Sequence, residues 1–300
     1  MEKNEIPLIS IQILNWNRAE ETLRAIKSAL NQTYENKEII VVDNGSTDNS
    51  LTLIQANFPE IKIVELDKNY GCPGGRNLGI EHCRGDFIFY LDNDGVLHED
   101  AVSNAYKTIS IDNQIGIVAG IVYDFESAQE IDASCKVKSF RKYSNNLFQG
   151  GICLIRKSIY EKTGYYPEHF IYGAEENHLS LKLFDSNYTI VKDESVILWH
   201  KKSLVARDKE KETLLAFYNK LYVAITLFPQ KYALQYVSYF LYKYPYYSSK
   251  QGILFGFLKS FPTNFPKTVI RGLKNRDPVS KKAYNKYAEN RKVKSLKIKK

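Results

Sequence analysis

The chain of 300 residues has few cysteines, and they are poorly spaced for chemistry. Cys72, Cys83, Cys135 and Cys153 form no CxxC pair. That argues against a zinc site or disulfide frame and fits reduced thiols in the cytoplasm. No run of about 18 apolar residues occurs, so a spanning helix is not expected. The opening "MEKNEIPLIS" lacks a basic segment leading into an apolar one, and no secretory leader is expected. No internal repeat is present. The glycines do not follow GxGxxG, and none of the glycine-rich stretches ends in GK[ST]; both absences argue against the common dinucleotide and P-loop signatures.

The body of the chain also lacks net charge. The total of +8 arises at the end, where Arg271 to Lys300 hold twelve Lys/Arg against Asp277 and Glu289. Residues 1–270 keep 30 of the 42 basic and 32 of the 34 acidic residues, or −2. Any attraction to a polyanion or anionic surface is therefore assigned to the tail, 271–300. Hydrophobic content of 44% and charged content of 25% fit an ordinary globular chain with a sizeable core.

Strand and helix signals alternate through the first 123 residues. "LISIQIL", "EIIVVD", "IKIVEL", "DFIFYL" and "IGIVAGIVY" read as strands, with helical spacing at Leu23, Ile26 and Leu30 after the first. Asn17 and Glu20 have the spacing of a capping pair for that helix. The alternation predicts an α/β fold with a mostly parallel sheet flanked by helices. In such sheets ligands sit beyond the carboxyl ends of the strands. Here those ends read "NWNR", "DNGSTD", "DKNYGCPGG" and "DNDG". Residues 124–146 form a polar connection. "GGICLIRKSIYEKTG" then reads as a strand and a short helix ending at Gly164, "NHLSLKLFDS" as a helix, and "YTIVKD" and "SVILWH" as two short strands. Leu214, Phe217, Leu221, Ile225 and Phe228 lie at helical spacing up to Pro229, in a C-terminal helical extension rich in tyrosine. The expected boundaries are 1–205 for the main domain, 206–270 for the extension and 271–300 for the tail.

The loops carry the chemistry. Asp92 and Asp94 in "LDND" either terminate a strand as turn formers or hold a divalent cation through oxygen ligands. Asp43 ends the second strand, where it can accept from a base N–H or a ribose hydroxyl, and Asp48 can cap the next helix. Gly71, Gly74, Gly75 and Gly79 surround a helix start that suits a diphosphate, with Arg76 adding charge. Glu175 and Glu176 meet a helix N-terminus, where acids are favoured and where a carboxylate can serve as a general base. His200 is either a structural imidazole or a neutral nitrogen ligand.

In this order the motifs resemble the inverting family 2 glycosyltransferases of GT-A fold. The resemblance runs over about residues 8–203, through "NWNR", "VVDNGSTDNS", "NYGCPGGRNLGI", "YLDND", "GGICLIRKSIYEKTGYYPEHF", "GAEENHLSLKL" and "VILWHKKS". It implies a nucleoside-diphosphate sugar donor, UDP- or dTDP-linked, held by Asn15, Trp16, Asn17, Asp43, Asn69, Gly71, Gly74, Arg76, Asp92 and Asn93. It further implies Mn²⁺ or Mg²⁺ on Asp94, the acid of the DxD motif, with His200. By position Glu176 is the base, yet the second acid of the family's pair is usually Asp. The longer Glu leaves Glu175 as the alternative, and His178 stands where relatives often carry a further acid. The implied role is sugar transfer to a glycan or lipid-linked acceptor in bacterial surface polysaccharide or glycoconjugate assembly.

A noncatalytic nucleotide-sugar scaffold and a sugar nucleotidyltransferase are the rival classes. Glu176 and Asp94 speak against the first, and "LNWNRAEET", without a Gly/Arg-rich loop, against the second. The tail, with the aromatic helices before it, suits peripheral contact with the cytoplasmic membrane face or is a solvated end of a cytoplasmic protein. No nucleic-acid-binding fold accompanies its charge.

Overall fold

Successive residues of a strand point to opposite faces, and here both faces are apolar. In "EIIVVD" Ile39 and Val41 enter one core layer and Ile40 and Val42 the other; in "FIFYL" Phe87, Phe89 and Leu91 part from Ile88 and Tyr90 in the same way. Such strands are stable only between two covering layers. The computed structural model describes residues 6–124, 141–200 and 208–289. Expectations for the remaining residues, including most of the 124–146 connection and the tail beyond residue 289, lie outside the described part.

The strands are β1 (Ile9–Asn15), β2 (Lys37–Asp43), β3 (Lys62–Glu65), β4 (Phe87–Asp92), β5 (Gly95–Leu97), β6 (Ile115–Asp124), β7 (Lys142–Asn145), β8 (Ile152–Arg156) and β9 (Thr189–His200). The sheet order is β3-β2-β1-β4-β8-β6-β9-β5, and β7 also pairs with β9. From β3 to β4 all neighbours are parallel. Beyond β4 the sheet is mixed: β8 is antiparallel to β4 and β6, while β6 and β9 are parallel. The chain crosses from β1 outward to β3 and then returns to β1's other side at β4. The crevice beyond the carboxyl ends of β1 and β4 is thus a topological switch point.

Helices α1 (Ala19–Leu30), α2 (Ser50–Asn57), α3 (Gly71–Ile80), α4 (Ala101–Ile109), α5 (Ile159–Thr163) and α6 (Glu175–Asp185) follow the chain. Ala25, Ile26 and Ala29 of α1 and Ala101, Val102, Ala105 and Ile109 of α4 cover one face; α3, α5 and α6 cover the other. α3 lies so close to the sheet that a Cβ at Gly79 would stand 2.3 Å from Gln12 Nε2 and 2.5 Å from Val42 Cγ2. The glycines late in α3 therefore serve helix-to-sheet packing.

Three local readings differ. The capping pair at Asn17 and Glu20 does not form: α1 starts after Arg18 with no side-chain cap. Asn17 is left-handed (φ 53), and its Oδ1 instead accepts from the N–H of Thr47 at 2.7 Å. "YTIVKD" and "SVILWH" join into the single strand β9, whose register against β6 shifts between Lys192 and Ile197. Asp193 sits at this irregularity, buried, accepting from Ser195 N–H (2.9 Å) and Thr108 Oγ1. β5 is new, three residues that pair Gly95 with His200.

The C-terminal helices are α7 (Lys209–Leu227), α8 (Gln230–Lys250), α9 (Leu254–Lys274) and α10 (Lys281–Ala288). α7 belongs to two cores. Tyr222, Val223, Ala224 and Leu227 join the layer beneath α6, whereas Phe217, Leu221 and Ile225 build an aromatic core with Phe240, Tyr244 and Phe257. Residue 271 lies inside α9, and the chain then folds back onto the main domain. Ser280 N–H donates to Asp185 Oδ1 (2.8 Å), and Asn177 Nδ2 to Tyr287 Oη (2.6 Å).

Candidate active site

The carboxyl ends of β1, β2 and β4, the start of α3, the Gln149–Gly151 turn, the start of α6 and the start of α7 surround one cleft of about 820 Å³. Its floor is a charge pair. Arg76, 4% exposed, donates from Nη2 to Asp92 Oδ1 at 2.9 Å, and its guanidinium lies 5.4 Å from the Tyr90 ring. The Gly150–Gly151 turn crosses directly over this pair. A Cβ at Gly151 would stand 1.8 Å from Asp92 Oδ2, and one at Gly150 would stand 2.4 Å from Arg76 Nη1 and 3.1 Å from Glu176 Oε1. A side chain at either position would have to push these charged groups aside.

Asp94 stands at the rim. Its Oδ2 accepts from Arg18 Nη1 at 2.8 Å and its Oδ1 faces His200 Nε2 at 2.9 Å. The β5–β9 pairing brings His200 there, because it aligns His200 with the residue after Asp94. A carboxylate oxygen and an imidazole nitrogen are the kinds of donor that could hold a divalent ion of borderline softness. Among the described residues no group of three His, Cys, Asp or Glu side chains could hold a metal.

The acid pair opens α6. Ala174 (φ 71) and Gly173 (φ 80) are both left-handed, and α6 carries no side-chain cap, so its first N–H groups face the cleft end of the helix. Asn219 of α7 fixes this turn by donating to the carbonyls of Tyr172 and Gly173, each at 3.0 Å. Glu176 Oε1 accepts from Gly150 N–H at 3.2 Å. Burial raises the Glu176 carboxyl above its ordinary range, and the Arg76 charge opposes that rise. Glu175 is 5% exposed and its Oε2 has no hydrogen-bond partner. Burial, then the charge of Glu176, pushes it up to about 8.

Of the residues expected to hold a donor, Trp16, Asn69, Gly71, Arg76, Asp92 and Asn93 line the cleft with Asp94, Glu175 and Glu176. Asn15, Asn17, Asp43 and Gly74 do not. Asp43 is fully buried and accepts from Asn15 Nδ2 (2.7 Å), Ser46 Oγ (2.6 Å) and Ser46 N–H (2.9 Å). Asn15 and Asn17 spend their side chains on the same loop. Gly74 is buried inside α3 against Tyr70. Asn44 reaches the cleft instead: it donates to Gly71 O (3.0 Å) and Asn69 Oδ1 (3.1 Å) and accepts from Tyr70 N–H (2.9 Å). Arg18, Asn44, Gly150, Gly151 and the α7 residues Asp208, Lys211 and Glu212 were not among the expected set. Asn44 and Arg18 adjoin chosen motif residues, but nothing local in the sequence marks the α7 wall.

Residues 10–164 match the model of Glycosyl transferase family 2. Chondroitin synthase of Escherichia coli is 39% identical over 100 residues, 32% of this chain and 14% of that protein. Glycosyltransferase GlyG of Streptococcus pneumoniae is 27% identical over 124 residues, 40% of this chain and 41% of GlyG. The chain thus spans less than half the length of either relative. Mannosyltransferase PcManGT of Pyrobaculum calidifontis, solved with GDP-Man and Mn²⁺, superposes with a TM-score of 0.58 at 18% identity, covering 74% of this chain and 64% of that one. The sheet with its flanking helices is accordingly a GT-A fold. With more than half its length matched and the motifs gathered at one switch-point cleft, the chain belongs to glycosyl transferase family 2.

Proposed function

We propose that this protein transfers a sugar from a nucleoside-diphosphate sugar, UDP- or dTDP-linked, to a hydroxyl of a glycan or lipid-linked acceptor, with inversion, in the assembly of a bacterial surface polysaccharide or glycoconjugate. The observation that carries the reading is the meeting of Asp94 and the Glu175–Glu176 pair on one cleft. The relatives' names support glycan synthesis, and the presence of Mn²⁺ with GDP-Man in the PcManGT complex supports a divalent cation.

Trp16 and Asn69 would flank the nucleotide, and Asp92, held by Arg76, would face the ribose and diphosphate. Asp94 and His200 would hold Mn²⁺ or Mg²⁺, whose charge, when bound, offsets that of the leaving diphosphate. Glu176 is the better base. It accepts from Gly150 N–H, is partly exposed to the cleft, and has Arg76 favouring its charged form. Glu175, pushed up to about 8, holds its proton at neutral pH. The acceptor hydroxyl gives its proton to Glu176 as its oxygen attacks the anomeric carbon; the bond to the diphosphate oxygen breaks on the opposite face. One displacement inverts the configuration.

The test is nucleoside diphosphate release in the presence of an acceptor, with Mn²⁺ or Mg²⁺, by wild type and Asp94→Ala. Unchanged turnover in the variant refutes the metal assignment.

A further inference from the structure

Helix α9 has two apolar faces, and only one is covered. Phe257 packs into the aromatic core. The opposite side presents Phe255, Leu258, Pro262, Pro266, Ile270 and Leu273, every one exposed, with Phe255 at 80% and Ile270 at 67%. Their spacing of three or four residues makes one continuous stripe along the helix. Lys259, Lys267 and Lys274 are also exposed on α9. On α8, Tyr242 and Tyr246 stand exposed with Lys243 and Lys250 each 5.0 Å from a ring centroid. From Gln230 to Lys274 the sequence has seven Lys or Arg and no Asp or Glu.

We propose that the outer face of α9, with the exposed tyrosines of α8, lies on an anionic lipid surface. An apolar stripe edged by lysines, with amphipathic rings at its margin, is what the boundary between headgroups and acyl chains accommodates. The charge selects this occupant over a second copy of the chain, which would bring two uniformly basic hairpins together. Spanning is not the mode, for no described helix is long and apolar enough to cross a membrane. Pro262 and Pro266 also leave the carbonyls of Leu258 and Pro262 without their helical donors, a cost that is small only where water still reaches.

The stripe ends beside the cleft. A Cβ at Gly256 would stand 1.7 Å from Glu210 Oε1 and 3.5 Å from Leu214 Cδ1, in the first turns of α7. Lys211, Glu212 and Leu215 of those turns line the cleft. A protein lying on α9 would therefore open its cleft next to the lipid surface. That consequence rests on the lipid-linked acceptor of the proposed function; the docking itself does not.

Vesicle flotation of the full chain tests the docking without substrate. The vesicles are phosphatidylcholine alone or phosphatidylcholine with phosphatidylglycerol. The wild type floats with the anionic vesicles, and salt weakens the effect. Leu258→Asp with Ile270→Asp, both exposed and outside the cleft, lowers partitioning about tenfold or more while the far-UV circular dichroism and melting temperature stay as in wild type. A full-length variant with the six basic residues at 291, 292, 294, 297, 299 and 300 changed to Gln keeps most of its binding. If that variant loses binding and the α9 variant does not, the tail is the contact and the proposal fails. It fails equally if the wild type floats with neither vesicle, or if the α9 substitutions only convert a dimer into a monomer. Vesicle binding without any sugar transfer would instead refute the proposed function and leave the docking standing.

Discussion

Replacing Glu175 with Gln should remove a loss of stability that the wild type suffers as pH rises. The carboxyl is 5% exposed, and burial followed by the Glu176 charge pushes it from 4.5 up to about 8. Below pH 4.5 the folded and unfolded chains both hold the proton, and the group contributes nothing. Between 4.5 and about 8 only the folded chain holds it, so each pH unit lowers stability by about 1.4 kcal/mol, on the order of 5 kcal/mol across the window. Above that the loss is constant. Glutamine keeps the shape and cannot ionise. Urea denaturation of both proteins at pH 5 and pH 8 reads the effect, together with the change in Glu176 that the lost coupling brings. The wild type should lose at least about 2 kcal/mol more than the variant between those two pH values. Equal losses would refute the burial argument and, with it, the assignment of Glu175 as the acid that keeps its proton.

Gly151→Ala should leave the chain folded but drive Asp92 away from Arg76, since the new Cβ would stand 1.8 Å from Asp92 Oδ2. The expected cost is about 1–3 kcal/mol, with a donor KM raised roughly tenfold, and an unchanged KM would count against Asp92 facing the donor. Glu176→Gln should lower kcat by about 10²–10⁴ while nucleotide binding, read by thermal shift, is retained. Full transfer by that variant, with none by Glu175→Gln, would exchange the two roles. Gly71→Ala should lower stability by about 2 kcal/mol or more in thermal unfolding, because φ is +78° and the Cβ would meet the Ile171 backbone at 2.5 Å.

What the sequence made legible is what local chemistry marks. Two-faced apolar runs such as "EIIVVD" declare buried strands, and polar strand ends declare a cleft. Asp92, Asp94 and the acids of α6 were readable for that reason, and the structure brings them to one cavity. Asp43 and its neighbour Asn44 show the boundary of such reading. Both are polar residues at a strand end, but a strand end cannot say which side chain turns inward. Here Asp43 accepts from Ser46 and Asn15, and Asn44 lines the cleft. The glycines of α3 looked like a phosphate cradle, yet Gly79 answers to Gln12, a partner 67 positions earlier in the chain. Gly150 and Gly151 carry the opposite lesson: a pair that reads only as the start of a strand is fixed by three charged side chains from distant segments. The three-residue β5 was too short for any periodicity, although its pairing of Gly95 with His200 brings that imidazole to Asp94.

The central claim is that one cleft holds a nucleoside diphosphate through a divalent ion on Asp94. Calorimetric titration of UDP and dTDP into the wild type and Asp94→Ala, each with Mn²⁺ and with EDTA, tests it most directly. At least one nucleotide should bind the wild type with Mn²⁺, and EDTA or the substitution should weaken that binding about a hundredfold or more. Equal affinity in all four conditions, or no binding of either nucleotide to the wild type with Mn²⁺, would contradict it.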